Sequence, residues 1–308
     1  MPKPIRAIAG VKRGVATILM TVFAMALADA YVKFASADLT LWQIWVLRSA
    51  LVLPLLLTFG RARLWTDRFG WVLLRSLALT AMYLGIYAAL PLLDLSVVAA
   101  ALYTAPLFIA ALSAFALGEP ITARQRIALA TGFAGVLLIV RPGAEGFTSL
   151  TLLPVGAALL YAVAAVVTRA KCADVPARTL ATWLNVTLLV AGGVASLVVA
   201  VAAGNGADDA YPFLFGVWQT MGPPEWLTIV VLAGLMLGIG IGLAKAYQSP
   251  SPQVIASFDY AFLIFAAFWG WVFFGEAPDL ETVAGMTLIA AGGVAVASAR
   301  PRAAPQPG

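Results

Sequence analysis

Histidine is absent from the 308 residues of this chain, and cysteine occurs once, at Cys172. The first absence removes the commonest metal ligand and general base, so zinc chemistry and Ser-His or Cys-His catalysis have no residues to run on. The second rules out an intrachain disulfide. Charge is scarce as well: 11% of residues are Asp, Glu, Lys or Arg against 62% hydrophobic, with a mean hydropathy of +0.96. A soluble domain uses about 45–50% apolar residues, and one of this length would still have to cover much of its surface with polar groups. What remains is an integral membrane protein, all-α and surrounded by lipid. No phosphate-cradling loop of the form G-x-x-x-x-G-K-S/T occurs, so no ATP site is indicated. Nothing in the sequence calls for a cofactor, a metal ion, a nucleic acid or an enzymatic reaction.

A spanning helix needs about 20 mainly apolar residues, and ten such runs stand between polar or Pro/Gly punctuation. Their centres fall near Val22, Ser49, Ala81, Phe108, Phe133, Leu159, Val190, Gly234, Ala266 and Ile289. Lys3, Arg6, Lys12 and Arg13, an apolar run and Ala28-Asp29-Ala30 have the outline of a cleavable signal peptide. The run from Gly14 is nevertheless long enough to span, and it reads as the first of the series. Connections are short, except for residues 204–225, whose Asp, Pro and aromatic content suits a membrane interface. Lys and Arg are retained on the cytoplasmic side. With both termini inside, Arg61, Arg63, Arg68, Arg75, Arg124, Arg126, Arg169, Lys171 and Arg178 fall at cytoplasmic ends and Arg141 in an outer loop. The net charge of +5 is therefore a topology signal. Lys33, Arg48 and Lys245 are left as cations within or near spans.

The run Tyr103–Glu119, YTAPLFIAALSAFALGE, returns 157 residues later as Tyr260–Glu276, YAFLIFAAFWGWVFFGE. Tyr103/Tyr260, Phe108/Phe265, Gly118/Gly275 and Glu119/Glu276 coincide without a gap, and Gly135/Gly292 keep the same offset. Residues 14–142 and 149–301 then form two repeats of five spans each. Five is odd, so the second repeat enters the membrane upside down, with Glu119 inside and Glu276 outside. Inverted repeats that share a site near the bilayer midplane are a recurrent transporter architecture.

These residues resemble a known family. Arg48 in mid-span, APLF…LGEPIT…GVLLIVRPG in the first half, and AYQSPSPQVIASFDYAFLIFAAFWGWVFFGEAPD…LIAAGG in the second are similar to the EamA family of the drug/metabolite transporter superfamily, over about Gly14 to Pro301. The resemblance implies ten helices in two inverted repeats, cytoplasmic termini, an inner-membrane location and export of amino acids or related metabolites. Among members, the chain looks most like the aromatic amino acid exporter type. It departs from internal symmetry where Asn185 stands opposite Arg48 and Leu263 opposite Pro106.

A charge at span depth costs about 2.5–3.5 kcal/mol on insertion scales and usually faces a partner or a wet cavity. Arg48 is the deepest cation; it can attract a substrate carboxylate or serve a structural ion pair. Asp29 can line the cavity, couple a proton, or pair with Lys33 four residues on, while Lys33 can also snorkel outward. Lys245 and Asp259 flank the SPSPQ turn at similar depth, and a salt bridge between them would form a cytoplasmic gate. Tyr83 and Tyr87, four apart on one helix face, and Tyr103, Trp183 and Tyr260 offer flat rings and polar tips to a solute, with packing as the plain alternative for each. Trp65, Trp71, Trp218 and Trp226 suit the membrane interface. Gly234, Gly238 and Gly242 form a small-residue stripe suited to close helix packing.

The expected function is a secondary transporter that exports aromatic and other neutral amino acids by alternating access, with a proton as a candidate coupling ion. A multidrug, organic-cation or nucleotide-sugar carrier is the nearest alternative. A channel would show a filter-like loop or a continuous polar stripe, and neither is visible.

Overall fold

Inside a bilayer a backbone N–H or C=O cannot turn to water, so apolar runs of this length satisfy those groups within helices. The computed structural model describes residues 3–58, 64–117, 122–141, 149–203, 211–247, 255 and 258–298, and their regular structure is entirely helical. In order these are α1 (Lys3–Ala35), α2 (Leu41–Thr58), α3 (Phe69–Ala89), α4 (Leu95–Leu102), α5 (Ala105–Leu117) and α6 (Ala123–Val140). A short 3₁₀ turn, Ser149–Thr151, leads into α7 (Leu152–Lys171), α8 (Ala177–Ala203), α9 (Pro212–Phe215), α10 (Pro223–Tyr247), α11 (Ala261–Phe274) and α12 (Leu280–Ser298). Seven helical stretches are long and apolar enough to cross a membrane, and Arg126–Val140, Ala261–Phe274 and Leu280–Ala295 are shorter apolar helices. Large apolar side chains such as Met20, Phe115, Leu197 and Ile264 stand outward on these helices. A water-facing surface would not carry so many, and lipid is the solvent that suits them. Glu119 and the SPSPQ turn lie outside the described residues.

One span is broken. Leu95–Phe115 is a single membrane-length stretch, but its helix stops at Tyr103-Thr104 and restarts at Ala105. Pro106 explains the break, because it has no N–H to return to the Leu102 carbonyl and its ring would collide with that oxygen. The Thr104 hydroxyl turns back to the Ala101 carbonyl at 2.6 Å. Tyr103 is thus a break residue and not the start of an uninterrupted helix. In the second half Phe258 and Asp259 are helical, Tyr260 is a turn residue and α11 follows at once, although Leu263 stands where Pro106 would. The two break tyrosines touch, ring centroids 5.4 Å apart, and Tyr103 also stacks on Phe262 at 4.9 Å.

Helix packing follows a reciprocal pattern. α1 packs on α10 and α3 on α7; α2 packs on α8; α6 packs on α12; α1 meets α11 while α5 meets α7. The α6–α12 crossing is glycine-lined, since a Cβ on Gly135 would lie 2.6 Å from the Gly285 carbonyl and one on Gly292 would lie 2.7 Å from that of Ala128. Raising one number and lowering the other by 157 converts the first contact into the second. Gly234 and Gly238 have nothing near their missing Cβ, and within the expected stripe only Gly242 is pressed against a neighbour, Thr21. The stripe is thus not a helix-packing face along its length.

The repeated Gly-Glu pair has a mechanical role where it is described. Gly275 ends α11 in a left-handed conformation, φ +69°, open to glycine at little cost. Its N–H bonds to the Trp271 carbonyl at 3.0 Å, the closure of an αL helix stop, and the N–H of Glu276 bonds to the Gly270 carbonyl at 3.2 Å. That turn aims the Glu276 carboxylate at two targets. One oxygen pairs with Lys33 and the other accepts the Leu95 N–H, at the start of α4, at 2.9 Å. Lys33 also donates to the Leu93 carbonyl at 2.7 Å and lies 4.9 Å from the Phe274 ring centre. Lys33 therefore neither pairs with Asp29 nor snorkels away. At the same end Arg141 pairs with Asp279 and with Glu281, the latter at 2.6 Å, and Asp279 accepts the Thr282 N–H at 2.8 Å to cap α12.

Glu276→Gln keeps an acceptor for Leu95 but strands the Lys33 charge. The thermal midpoint in detergent should fall by an amount approaching the roughly 3–5 kcal/mol of a broken buried pair, and Lys33→Met with Glu276→Leu should recover much of it. An unchanged midpoint in the single variant would remove the pair from the fold's support. Asp279 has its own signature. Hydrogen bonds from Thr282, then the Arg141 partner, hold its carboxyl down at about 2, below the ordinary 3.8. A depressed value stabilises the fold above the ordinary carboxylate range and is lost as pH falls toward 2. The midpoint should therefore drop on acidification below pH 4, and less steeply in Asp279→Asn.

Candidate functional site

α1, α2 and α3 each bring polar groups to one buried region. Arg48 lies on the inner face of α2 among Ile44, Trp45, Ser49 and Val52, and only 2% of it is exposed. Its charge acts on Asp29 of α1 and on the hydroxyls of Tyr83 and Tyr87 of α3. The two tyrosines lie one turn apart with ring centroids at 5.5 Å. Tyr87 is fully enclosed, whereas Asp29 and Tyr83 are half-buried. Arg48 and Asp29 sense each other yet are not among the ion pairs of the described residues, which are formed by Lys33, Arg141, Glu276, Asp279 and Glu281. The Tyr87 hydroxyl sits beside Arg48 without the alignment of a hydrogen bond.

The polar lining continues toward the other end. Tyr161 of α7 is influenced by Tyr83, Arg75 and Asp259, and Asp259 also acts on Tyr260. Arg75 donates from Nε to the Thr168 hydroxyl at 2.9 Å, and the Thr80 and Thr187 hydroxyls meet at 3.0 Å between α3 and α8. Tyr260 fits its hydroxyl against Gly293, whose missing Cβ would stand 1.5 Å from that oxygen.

Of the residues expected from sequence, Asp29, Arg48, Tyr83 and Tyr87 come together, and Tyr103 and Tyr260 meet at the helix breaks. Trp183 stands apart. Its indole donates to the Leu64 carbonyl at 2.8 Å, with its ring 4.7 Å from Phe69 and 5.9 Å from Trp65, and these contacts are made near the start of α8. The turn that joins Lys245 and Asp259 lies outside the described residues; Lys245 is exposed and Asp259 half-buried. Tyr161 and Trp45 count among the aromatics in or near spans that the sequence alone offers, and Ser49 is the neighbouring group that sequence reasoning passed over. Ser49 had one available signal, its i+1 spacing from Arg48.

Over these helices lies the segment Tyr211–Gly222. Tyr211 donates to the Ala88 carbonyl at 2.7 Å, Trp42 to Leu214 at 2.6 Å, and Gln43 exchanges hydrogen bonds with the Gln219 backbone at 2.9 and 3.1 Å. A polar cavity of about 300 Å³ opens beside them, lined by Asp38, Thr40, Gln219, Thr220 and Glu225 among others.

The model of the EamA-like transporter family matches residues 12–141. The pseudopaline exporter of Pseudomonas aeruginosa is 30% identical over 297 residues, 90% of this chain and 93% of that protein. The chain belongs to the EamA-like transporter family. The riboflavin transporter of Rhizobium johnstonii is 29% identical, over 90% of this chain and 86% of its own. The S-adenosylmethionine uptake transporter of Rickettsia bellii is 23% identical over 90% of each. A solved crystal structure, 20% identical, aligns with 94% of this chain and 96% of its own at a TM-score of 0.54 and shares the fold. This EamA-like protein is thus a multi-pass membrane transporter of a small molecule and not an enzyme. Its relatives include both an exporter and an uptake protein, so membership leaves direction to be argued from other grounds.

Proposed function

We propose that this EamA-like transporter exports amino acids, aromatic and other neutral ones, across the cytoplasmic membrane by alternating access. The observation that carries the reading is the unpaired proximity of Arg48 and Asp29 beside Tyr83 and Tyr87. A zwitterion bridges such a gap, with its carboxylate on the guanidinium and its ammonium toward the carboxylate, while a flat side chain lies against the tyrosine rings. Asp29 is the proposed site of a coupling proton, and Asp259, with Tyr161 and Tyr260, extends the lining toward the cytoplasmic gate.

The architecture in this proposal is ten spans in two inverted repeats, 14–142 and 149–301, with both termini in the cytoplasm. Support comes from the seven long and three shorter apolar helices, the reciprocal α6–α12 glycine contacts and the meeting of Tyr103 with Tyr260. Equivalent residues that touch must lie at a twofold axis. At 1.5 Å per residue, Tyr103 lies about 12 Å from the Leu95 end of its span and Tyr260 about 21 Å from the Phe274 end of its own; the proposed inversion puts those two ends on one side of the membrane and the tyrosines on either side of the middle of a bilayer about 30 Å thick.

A second reading, a larger flat heteroaromatic solute, is favoured by the riboflavin transporters among the relatives.

Purified protein in liposomes should show saturable counterflow of labelled Phe. Arg48→Lys should raise KM for Phe by at least about tenfold, the scale of a lost charged hydrogen bond. Saturable riboflavin flux with no flux of Phe, Thr or Ala would move the assignment to the second reading. If Asp29 carries the coupling proton, a pH gradient drives Phe uphill in the wild type and not in Asp29→Asn; equal uphill flux would remove that role. For topology, Cys172 is buried and its burial pushes the thiol up, so it gives little labelling background. Single Glu119→Cys and Asp279→Cys variants should label from opposite sides of the membrane, and labelling from one side would overturn the inverted repeats.

A further inference from the structure

Buried polar atoms in proteins nearly always find a partner, and a few in this chain do not. The Trp45 indole nitrogen, one guanidinium nitrogen of Arg48 and the Ser49 hydroxyl are buried without a hydrogen-bond partner among the described residues, as is the Tyr87 hydroxyl. Positions 45, 48 and 49 fall on one face of α2 by helical spacing, and Tyr87 lies next to Arg48 from α3. Their residues are at most 2% exposed. Chemistry further narrows what is missing. Indole N–H and guanidinium can only donate, and the two hydroxyls can donate as well as accept. The group is therefore short of acceptors and carries one positive charge, and Asp29 is not close enough to pair with it.

We propose that Trp45, Arg48, Ser49 and Tyr87 form a dry donor cradle for a carboxylate of the transported solute, with Trp45 and Ser49 setting the preference for carboxylate over its uncharged amide. This deepens the solute-site reading above and rests on it for location, while its test does not require amino acid transport. Because the four residues are closed off, the solute enters while α2 and α3 stand further apart and is enclosed when they close. Its carboxylate oxygens then supply the acceptors that the four donors lack, in a low-dielectric site where such bonds count most.

The test is equilibrium binding to the purified full-length protein of 3-phenylpropionate, which has the carboxylate without an ammonium, against 3-phenylpropionamide and phenethylamine. The wild type should bind 3-phenylpropionate at least about tenfold more tightly than the amide. Trp45→Phe and Ser49→Ala should each cut that ratio by about fivefold, the scale of one neutral donor, and Ser49→Thr, which keeps the hydroxyl, should restore it. The ratio is read within one protein sample, so a general loss of stability does not mimic the result. Should Trp45→Phe fail to fold, the Ser49 pair of variants decides. Preference for phenethylamine in the wild type, or a ratio unchanged by both truncations, overturns the cradle. Carboxylate binding with the expected losses but no Phe counterflow would leave the cradle standing and retire amino acid export; saturable Phe flux with an unaltered ratio would do the reverse.

Discussion

A charge placed among lipid-facing helices must be neutralised by something, and Lys33, Glu276, Arg48 and Asp29 are such charges within or at the ends of the apolar runs. Two neutralise each other. Lys33 and Glu276 come from opposite ends of the sequence and meet beside the start of α4, where the carboxylate also accepts the Leu95 N–H. Neither charge could stay at the edge of the apolar region at low cost alone, so the ends of α1, α4 and α11 are held together. The other two, Arg48 and Asp29, lie near each other without joining. One pair of charges ties the helices together, and the other is the pair proposed to receive the solute.

The helix breaks serve the same division. A continuous helix between Leu95 and Phe115 would leave its backbone fully satisfied and present only side chains to the interior. Interrupting it at Tyr103-Thr104 turns Tyr103 toward the matching break at Tyr260, where the two rings meet. In the first half a proline imposes the interruption, whereas in the second half the chain turns at Tyr260 with no proline in the corresponding place. The Tyr260 hydroxyl there occupies the space beside Gly293, so the backbone turn and the glycine opposite it form one packing unit.

Much of the fold was legible in the residues. Apolar runs near the thickness of a bilayer can satisfy their backbone only as helices, so the all-helical, multi-span character of the chain could be read directly. The Gly-Glu pair was visible as a repeated motif, but its work as a helix stop and cross-link was not, because Lys33 and Leu95 are remote in sequence. In the site, Tyr83 and Tyr87 followed from helical spacing, and Arg48 and Asp29 from the cost of charge in an apolar run. Trp183 was grouped with them on composition alone and proved to belong with Trp65, Phe69 and Leu64. Tyr161 was underrated for the converse reason: one tyrosine in an apolar helix carries no mark of the direction it faces.

By itself, then, the amino-acid sequence determined that this is a helical membrane protein, with a motif that recurs at an offset of 157 residues and charges at depth that demand an explanation. Those properties follow from composition and from spacing along one chain. Tertiary structure alone decided which charges pair, which side of α2 gathers unsatisfied donors and which tyrosines share a wall. The reason is geometric: a helix fixes which residues share its own face, but the rotation of that face toward its neighbours is set by the packing of all the helices together.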